Sequence, residues 1–234
     1  LQDGSKSAHA ADISSIKTGL SRWNAHWTPP YSPVLKHEMG FRHPECGKWL
    51  CPIDLDWDDA QVAQDLRSGK KVALPEDYHR GLYFGEDPDP NDLMTGFLRG
   101  EQILRGYNSI FISPSTALSE SGTDKSTGKG IAAHHGISTA TLESVIYVAH
   151  ILHFCLSSQA TFQAKGGNGL FSYRRYFKNI QVSVRQWPEE EQENLLTWWN
   201  EYVFCFFVFP SLILFLGKCS LARMRRLLSV LMEL

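Results

Sequence analysis

Cysteine is scarce here: five thiols among 234 residues, an odd set of Cys46, Cys51, Cys155, Cys205 and Cys219 spread too widely for a disulfide framework. A chain of this length can bury a core without covalent staples. The thiols are therefore read as reduced, and the compartment as a reducing, intracellular one. An excess of one charge is also missing. Lys and Arg number 23 against 25 Asp and Glu, a formal net charge of -2, which excludes both a disordered polyelectrolyte and a globally basic nucleic-acid binder. Between Cys51 and Glu101, 12 acidic residues stand against 5 basic ones, a local balance that repels phosphate. Catalytic signatures are absent as well. There is no Gly-x-Ser-x-Gly, no His-Glu-x-x-His and no paired-carboxylate pattern, so an enzyme would need a site assembled only in three dimensions. No internal repeat is present. The opening Leu1-Gln2-Asp3-Gly4 has no basic-then-apolar leader and reads as a fragment with no secretory signal in view.

What the chain does have is helical periodicity. Ile13, Ile16, Leu20 and Trp23 predict a short helix over 10–23, after a frayed stretch at 1–8. Pro29, Pro30 and Pro33 then impose an irregular packed connector from 28 to 52. A helix over 57–68 follows from Val62 and Leu66, with Asp56 or Asp58 as cap and Gly69 as the left-handed stop. Asp89-Pro90-Asn91-Asp92 looks like a helix start, and the apolar stripe behind it predicts a helix over 91–108, although Gly96, Gly100 and Gly106 point to close contacts or a break. Residues 113–136 are Ser, Thr, Gly and Lys with almost no large apolar groups, and read as a mobile loop. Helices follow over 141–157, apolar nearly all round with Leu152 and Leu156 deepest, over 170–184, and over 188–201. The fold class is all-α: a single irregular multi-helix domain with a long loop and an apolar C-terminal segment. Its parts are an N-terminal helix and connector (1–36), a helical domain (37–201) and a tail (202–234).

Several landmarks occur together in order. They are Cys51-Pro52 leading to Asp56-Trp57-Asp58, Phe97-Leu98-Arg99-Gly100 before Ser109-Ile110-Phe111, and Ser113-Pro114-Ser115. His135-Gly136-Ile137, the helix from Ile146-Tyr147-Val148-Ala149 to Leu156-Ser157-Ser158, and Leu196-Thr197-Trp198-Trp199-Asn200 complete the set. In these the chain resembles an uncharacterised domain family expanded in mushroom-forming fungi, over about residues 44–200. The resemblance implies a fungal, intracellular protein of a multi-copy family. It supplies no activity, cofactor or catalytic residue.

Four groups of residues have chemistry worth weighing. His37, His43, Cys46 and Cys51 offer zinc-type donors, but at a spacing that fits no standard module, so a packed reduced connector is the favoured reading and no cofactor is expected. His150 and His153 lie one turn apart and could share a ligand or supply a base, yet hydrogen-bonded interior histidines are the favoured account of them. The string from Gly122 to Gly130 imitates a phosphate loop with the wrong spacing and with glycine where Ser or Thr is needed after Lys129; His134 and His135 beside it are read as solvated. Arg174, Arg175 and Lys178 interleave with aromatics as a single-strand nucleic-acid surface would, but helical phase puts Tyr173 and Phe177 on the core stripe and leaves the cations as a solvated face.

The tail is the odd part. Residues 203–217 carry no charge and are followed by Lys218 and the basic Arg223-Met224-Arg225-Arg226. Pro210 sits mid-run, and a spanning helix needs about 20 apolar residues. Translated intron or frame-shifted sequence after Glu201 is the first reading of this segment, and a membrane anchor the second. The leading functional expectation is a non-enzymatic interaction domain with an undefined protein partner. A nucleic-acid-associated protein linked to mobile elements, and a divergent enzyme, are the rivals.

Overall fold

The centre of the molecule is a helix with almost no polar face. The computed structural model describes residues 2–85, 88–114, 117, 136, 138–167 and 170–208. Among these, seven α-helices build the fold: α1 Gln2–Trp23, α2 Pro44–Leu50, α3 Ala60–Ser68, α4 Glu101–Tyr107, α5 Leu142–Leu156, α6 Tyr173–Arg185 and α7 Glu189–Val208. Among the described residues, β-structure is limited to three isolated bridges, Pro52 with His79, Tyr83 with Phe97, and Gly167 with Leu170. The all-α expectation is met.

Helix α5 is set by a capping box: the Thr141 hydroxyl accepts from the Ser144 amide, and the Ser144 hydroxyl accepts from the Thr141 amide. Every residue from Val148 to Leu156 is buried, with Leu152 and Leu156 fully so. Such a helix must be covered on all sides. Ile16 and Leu20 of α1 and Ile103 and Tyr107 of α4 join the same apolar cluster. Gly106 permits the close approach of α4, because a Cβ there would lie 2.8 Å from Val148 Cγ1. Tyr173, Tyr176, Ile180 and Val184 of α6 and Leu195 and Trp199 of α7 complete the cover.

The connector is more ordered than its prolines imply. It contains α2 and two 3-10 turns, Lys36–Glu38 and Gly40–Arg42, and it is tied to the end of α5 through backbone oxygens. The Tyr31 hydroxyl donates to the Cys155 carbonyl at 3.0 Å. The buried Lys36 ammonium donates to the carbonyls of Phe154 (2.7 Å), Cys155 (2.9 Å) and Ser157. These are the unsatisfied carbonyls at the negative end of the helix. Burial pushes the Lys36 amine down to about 8, so at neutral pH it keeps its charge.

Three local expectations are corrected. Residues 2–8, expected outside the first helix, are part of α1. No helix runs over 91–108: the Asp89 carboxylate takes the Asn91 amide and that of Asp92 takes the Met94 and Thr95 amides, turns that compete with helix formation. Gly96 and Leu98 then have φ of +73° and +54°, and α4 starts only at Glu101. The cap of α3 is Asp59, not Asp56 or Asp58, and its Oδ1 accepts from the Gln61 amide at 2.7 Å. Gly69 is the left-handed stop at φ +78°.

Beside α2 and α3 lies a second, smaller core of Cys51, Trp57, Ala63 and Leu66. Most of the 113–136 loop, including the Gly122–Gly130 string, His134 and His135, lies outside the described residues, as do residues 209–234 of the tail. Helix α7 continues past residue 201 to Val208. No described helix is long and apolar enough to cross a membrane.

Candidate functional site

Two places gather chemistry: an interior layer of histidines and aromatic rings, and a polar groove with tryptophan walls. The layer forms because α5 presents His150 and His153 one turn apart toward α6, which answers with Tyr173 and Tyr176. His79 enters from the strip after α3, where its backbone bridges Pro52. His153 stacks on Phe171 with ring centres 4.1 Å apart, and lies 5.1 Å from Tyr176 and 4.9 Å from His79. The His79 and Tyr176 rings are 5.4 Å apart. Both nitrogens of His79, Nδ1 of His153 and the Tyr176 hydroxyl are buried without a hydrogen-bond partner. Burial holds His79 down to about 3 and His153 well below the ordinary histidine range, so both are neutral.

The other end of the layer reaches α1. His150 lies 6.1 Å from His9 in a stacked arrangement and 5.1 Å from Tyr147. Burial, and then the neighbouring His9, push His150 down to about 4. Beside them the Tyr147 hydroxyl donates to Asp12 at 2.6 Å. The two candidate histidines of α5 thus face different partners and share only Tyr173 as a neighbouring ring, at 6.3 and 5.6 Å. His9, Asp12, His79 and Tyr147 carry no sequence signal of their own, because only the tertiary fold brings α1 and the His79 strip against α5.

The groove, of about 250 Å³, lies where the end of α1 meets α2, α4 and the turn at Arg80. Trp23, Trp27 and Trp49 wall it. On its floor Asn24 and Gln102 exchange amide hydrogen bonds, Gln102 Nε2 donating to Asn24 Oδ1 at 2.7 Å and Asn24 Nδ2 to Gln102 Oε1 at 3.4 Å. Glu45, Lys48, Glu101 and Arg105 supply rim charges of both signs, and Arg105 reaches Glu101 at 2.7 Å.

The proposed connector ligands do not converge. His37 is exposed beside Glu38. His43 caps α2, its Nδ1 accepting from the Cys46 amide and its Nε2 donating to the Pro29 carbonyl at 2.8 Å. Cys46 belongs to the main core and Cys51 to the small one. Among the described residues no group of three or more His, Cys, Asp or Glu could hold a metal. On α6, Arg174 and Lys178 are exposed, while Arg175 is engaged by Glu76 at 2.8 Å. Tyr173 packs inward as the helical phase requires, and Tyr176 is buried more fully than Phe177.

Comparison with known proteins gives a family whose function is unknown. The family described as "Family of unknown function (DUF6698)" matches residues 3–204, and the chain belongs to it. The match takes in α1 and the connector and stops within α7, a wider span than the 44–200 of the motif resemblance. No curated protein and no solved structure is significantly similar to the chain.

Proposed function

We propose that this chain is a non-enzymatic interaction domain that engages a protein partner through the tryptophan-walled groove. The observation that carries the reading is the groove's lining: indole walls, an amide pair and rim charges of both signs at one concave place. Tryptophan and arginine are among the residues most enriched at the energetic centres of protein interfaces. No hydroxyl or thiol nucleophile is among the described residues that line it. A site inside the cell, in the mushroom-forming fungi that the motifs resemble, belongs to the same proposal. It is supported by the free, buried thiols of Cys46, Cys51 and Cys155.

A nucleic-acid role draws less support, since the Glu76 contact holds the middle cation of the Arg174, Arg175 and Lys178 run. Affinity capture separates the readings. Full-length chain is used as bait beside Trp27→Ala and Glu45→Arg variants whose helicity is unchanged, with and without nuclease. Loss of the captured protein in both variants, insensitive to nuclease, is expected. Capture that survives both substitutions and disappears with nuclease overturns the proposal in favour of nucleic acid.

A further inference from the structure

Helix α1 turns two lines of residues to one side. Ala11, Ser15 and Gly19 follow one another at a helical turn and are small, and beside them Ser14, Thr18 and Arg22, at the same spacing, carry hydrogen-bond donors. With Trp23, Ser109 and Pro114 they line a cleft of about 320 Å³. Ser109 comes from a π-helical turn, Asn108–Ile112, a distortion found often at functional sites. We propose that this cleft binds a small phosphorylated polyol, a ligand of sugar-phosphate size. It shares only Trp23 with the groove, and the proposal does not depend on the groove's role.

The donor set selects the ligand. Among the described residues that line the cleft there is one guanidinium and no carboxylate, so an anion meets attraction without repulsion. Ser21, elsewhere on α1, returns its hydroxyl to the Lys17 carbonyl at 3.2 Å. Among the described residues the side chains of Ser14, Thr18 and Arg22 have no such partner and no ion pair. Ser109 is buried, and its hydroxyl and that of Ser15 bond only each other, at 2.8 Å. Two hydroxyls carry two hydrogens and that bond uses one, so one O–H of the pair is left for a ligand. A carboxylate would be satisfied by the Arg22 fork alone. A phosphomonoester has three terminal oxygens for Arg22 and the hydroxyls of Ser14 and Thr18, and the polyol behind it can exchange hydrogen bonds with the Ser15–Ser109 pair. Gly19 lets the Trp23 ring lie against α1, because a Cβ there would stand 2.3 Å from Trp23 Cζ2, and that ring gives the polyol carbons an apolar wall. The volume is at the low end for ligand sites, which suits a monophosphate and not a dinucleotide.

The test is calorimetric titration of the full chain with glucose 6-phosphate, glycerol 3-phosphate, glucose and inorganic phosphate. Expected is one phosphomonoester bound per chain with a Kd below about 1 mM, and binding at least about 10-fold weaker for glucose and for inorganic phosphate. Arg22→Gln should weaken the phosphomonoester by about 10-fold or more, and Thr18→Val by about 3-fold or more. Arg22 and Thr18 are exposed, so both variants keep the fold and circular dichroism confirms it. Absence of binding by both phosphomonoesters at about 10 mM overturns the proposal. So does unchanged affinity in Arg22→Gln, which would place the anion elsewhere on the molecule. Inorganic phosphate or glucose bound as tightly as the phosphomonoesters also overturns it, because the two halves of the ligand would then not be recognised together.

Discussion

Lys36 touches Phe154 twice: its ammonium donates to the Phe154 carbonyl at 2.7 Å and stands 4.9 Å from the centre of the Phe154 ring. With the Cys155 and Ser157 carbonyls it closes the end of α5. Lys36→Ala is therefore expected to destabilise the fold by about 2–4 kcal/mol, since three helix-end carbonyls lose a charged donor in a buried place. Urea unfolding followed by circular dichroism checks this. A loss below about 0.5 kcal/mol, the size of an ordinary surface substitution, would show that water replaces the ammonium without penalty.

Two glycines separate conformational strain from close approach. Gly69 has φ +78° with open space where a methyl group would stand, so Gly69→Ala should cost only about 1–2 kcal/mol, the left-handed penalty. At Gly100 a Cβ would stand 2.2 Å from the Gly81 carbonyl oxygen, which is backbone and cannot rotate away. Gly100→Ala should lower the melting temperature by clearly more than Gly69→Ala. The reverse order would mean that the 81–100 contact yields easily.

Acid should weaken the fold above the range in which most carboxylates titrate. His79 and His150 are held down to about 3 and about 4, and His153 also lies far below its unfolded value near 6.5. The folded pKa values are depressed, so between them and 6.5 the unfolded chain binds more protons. The stabilising contribution is complete above 6.5 and is lost as pH falls toward the folded values, by up to about 1.4 kcal/mol per pH unit for each histidine. Most carboxylates titrate below about 4.5, so the slope between pH 6.5 and 5 comes mainly from histidine. Denaturant midpoints across this pH range measure it, and His153→Phe should flatten it.

The Tyr147–Asp12 hydrogen bond joins α5 to α1 at 2.6 Å. A double-mutant cycle of Tyr147→Phe and Asp12→Asn should give a coupling of about 1–2 kcal/mol, as for a hydrogen bond to a charged acceptor. Additive losses would show that the two side chains act independently.

The helices that bury a regular stripe were legible in the sequence. The helices expected over 141–157, 170–184 and 188–201 announced themselves by their apolar spacing, while the caps Thr141 and Ser172 emerged only from the structure. The stretch from Asp89 to Gly100 misled because Asp89-Pro90 serves an Asx turn as well as a helix cap, and the choice is made by the strip docking on Phe84, whose amide donates to the Gly96 carbonyl at 2.9 Å. The connector's order was hidden for another reason: Tyr31 and Lys36 bind backbone oxygens of a remote helix, which no local pattern encodes. Of the histidine layer, the sequence displayed only the His150–His153 pair, because His79 and His9 reach it from other parts of the chain.

The division of buried apolar residues into a main core and a satellite also divides the thiols. Cys46 and Cys155 lie in the core around α5, whereas Cys51 lies in the small cluster with Trp57, Ala63 and Leu66. So few side chains hold α3 that it should open without the rest of the molecule unfolding. Of these three thiols, a slow reagent would then label Cys51 first, at a rate set by that local opening, while Cys46 and Cys155 wait for global unfolding. The chain thus carries its own reporters of which part breathes.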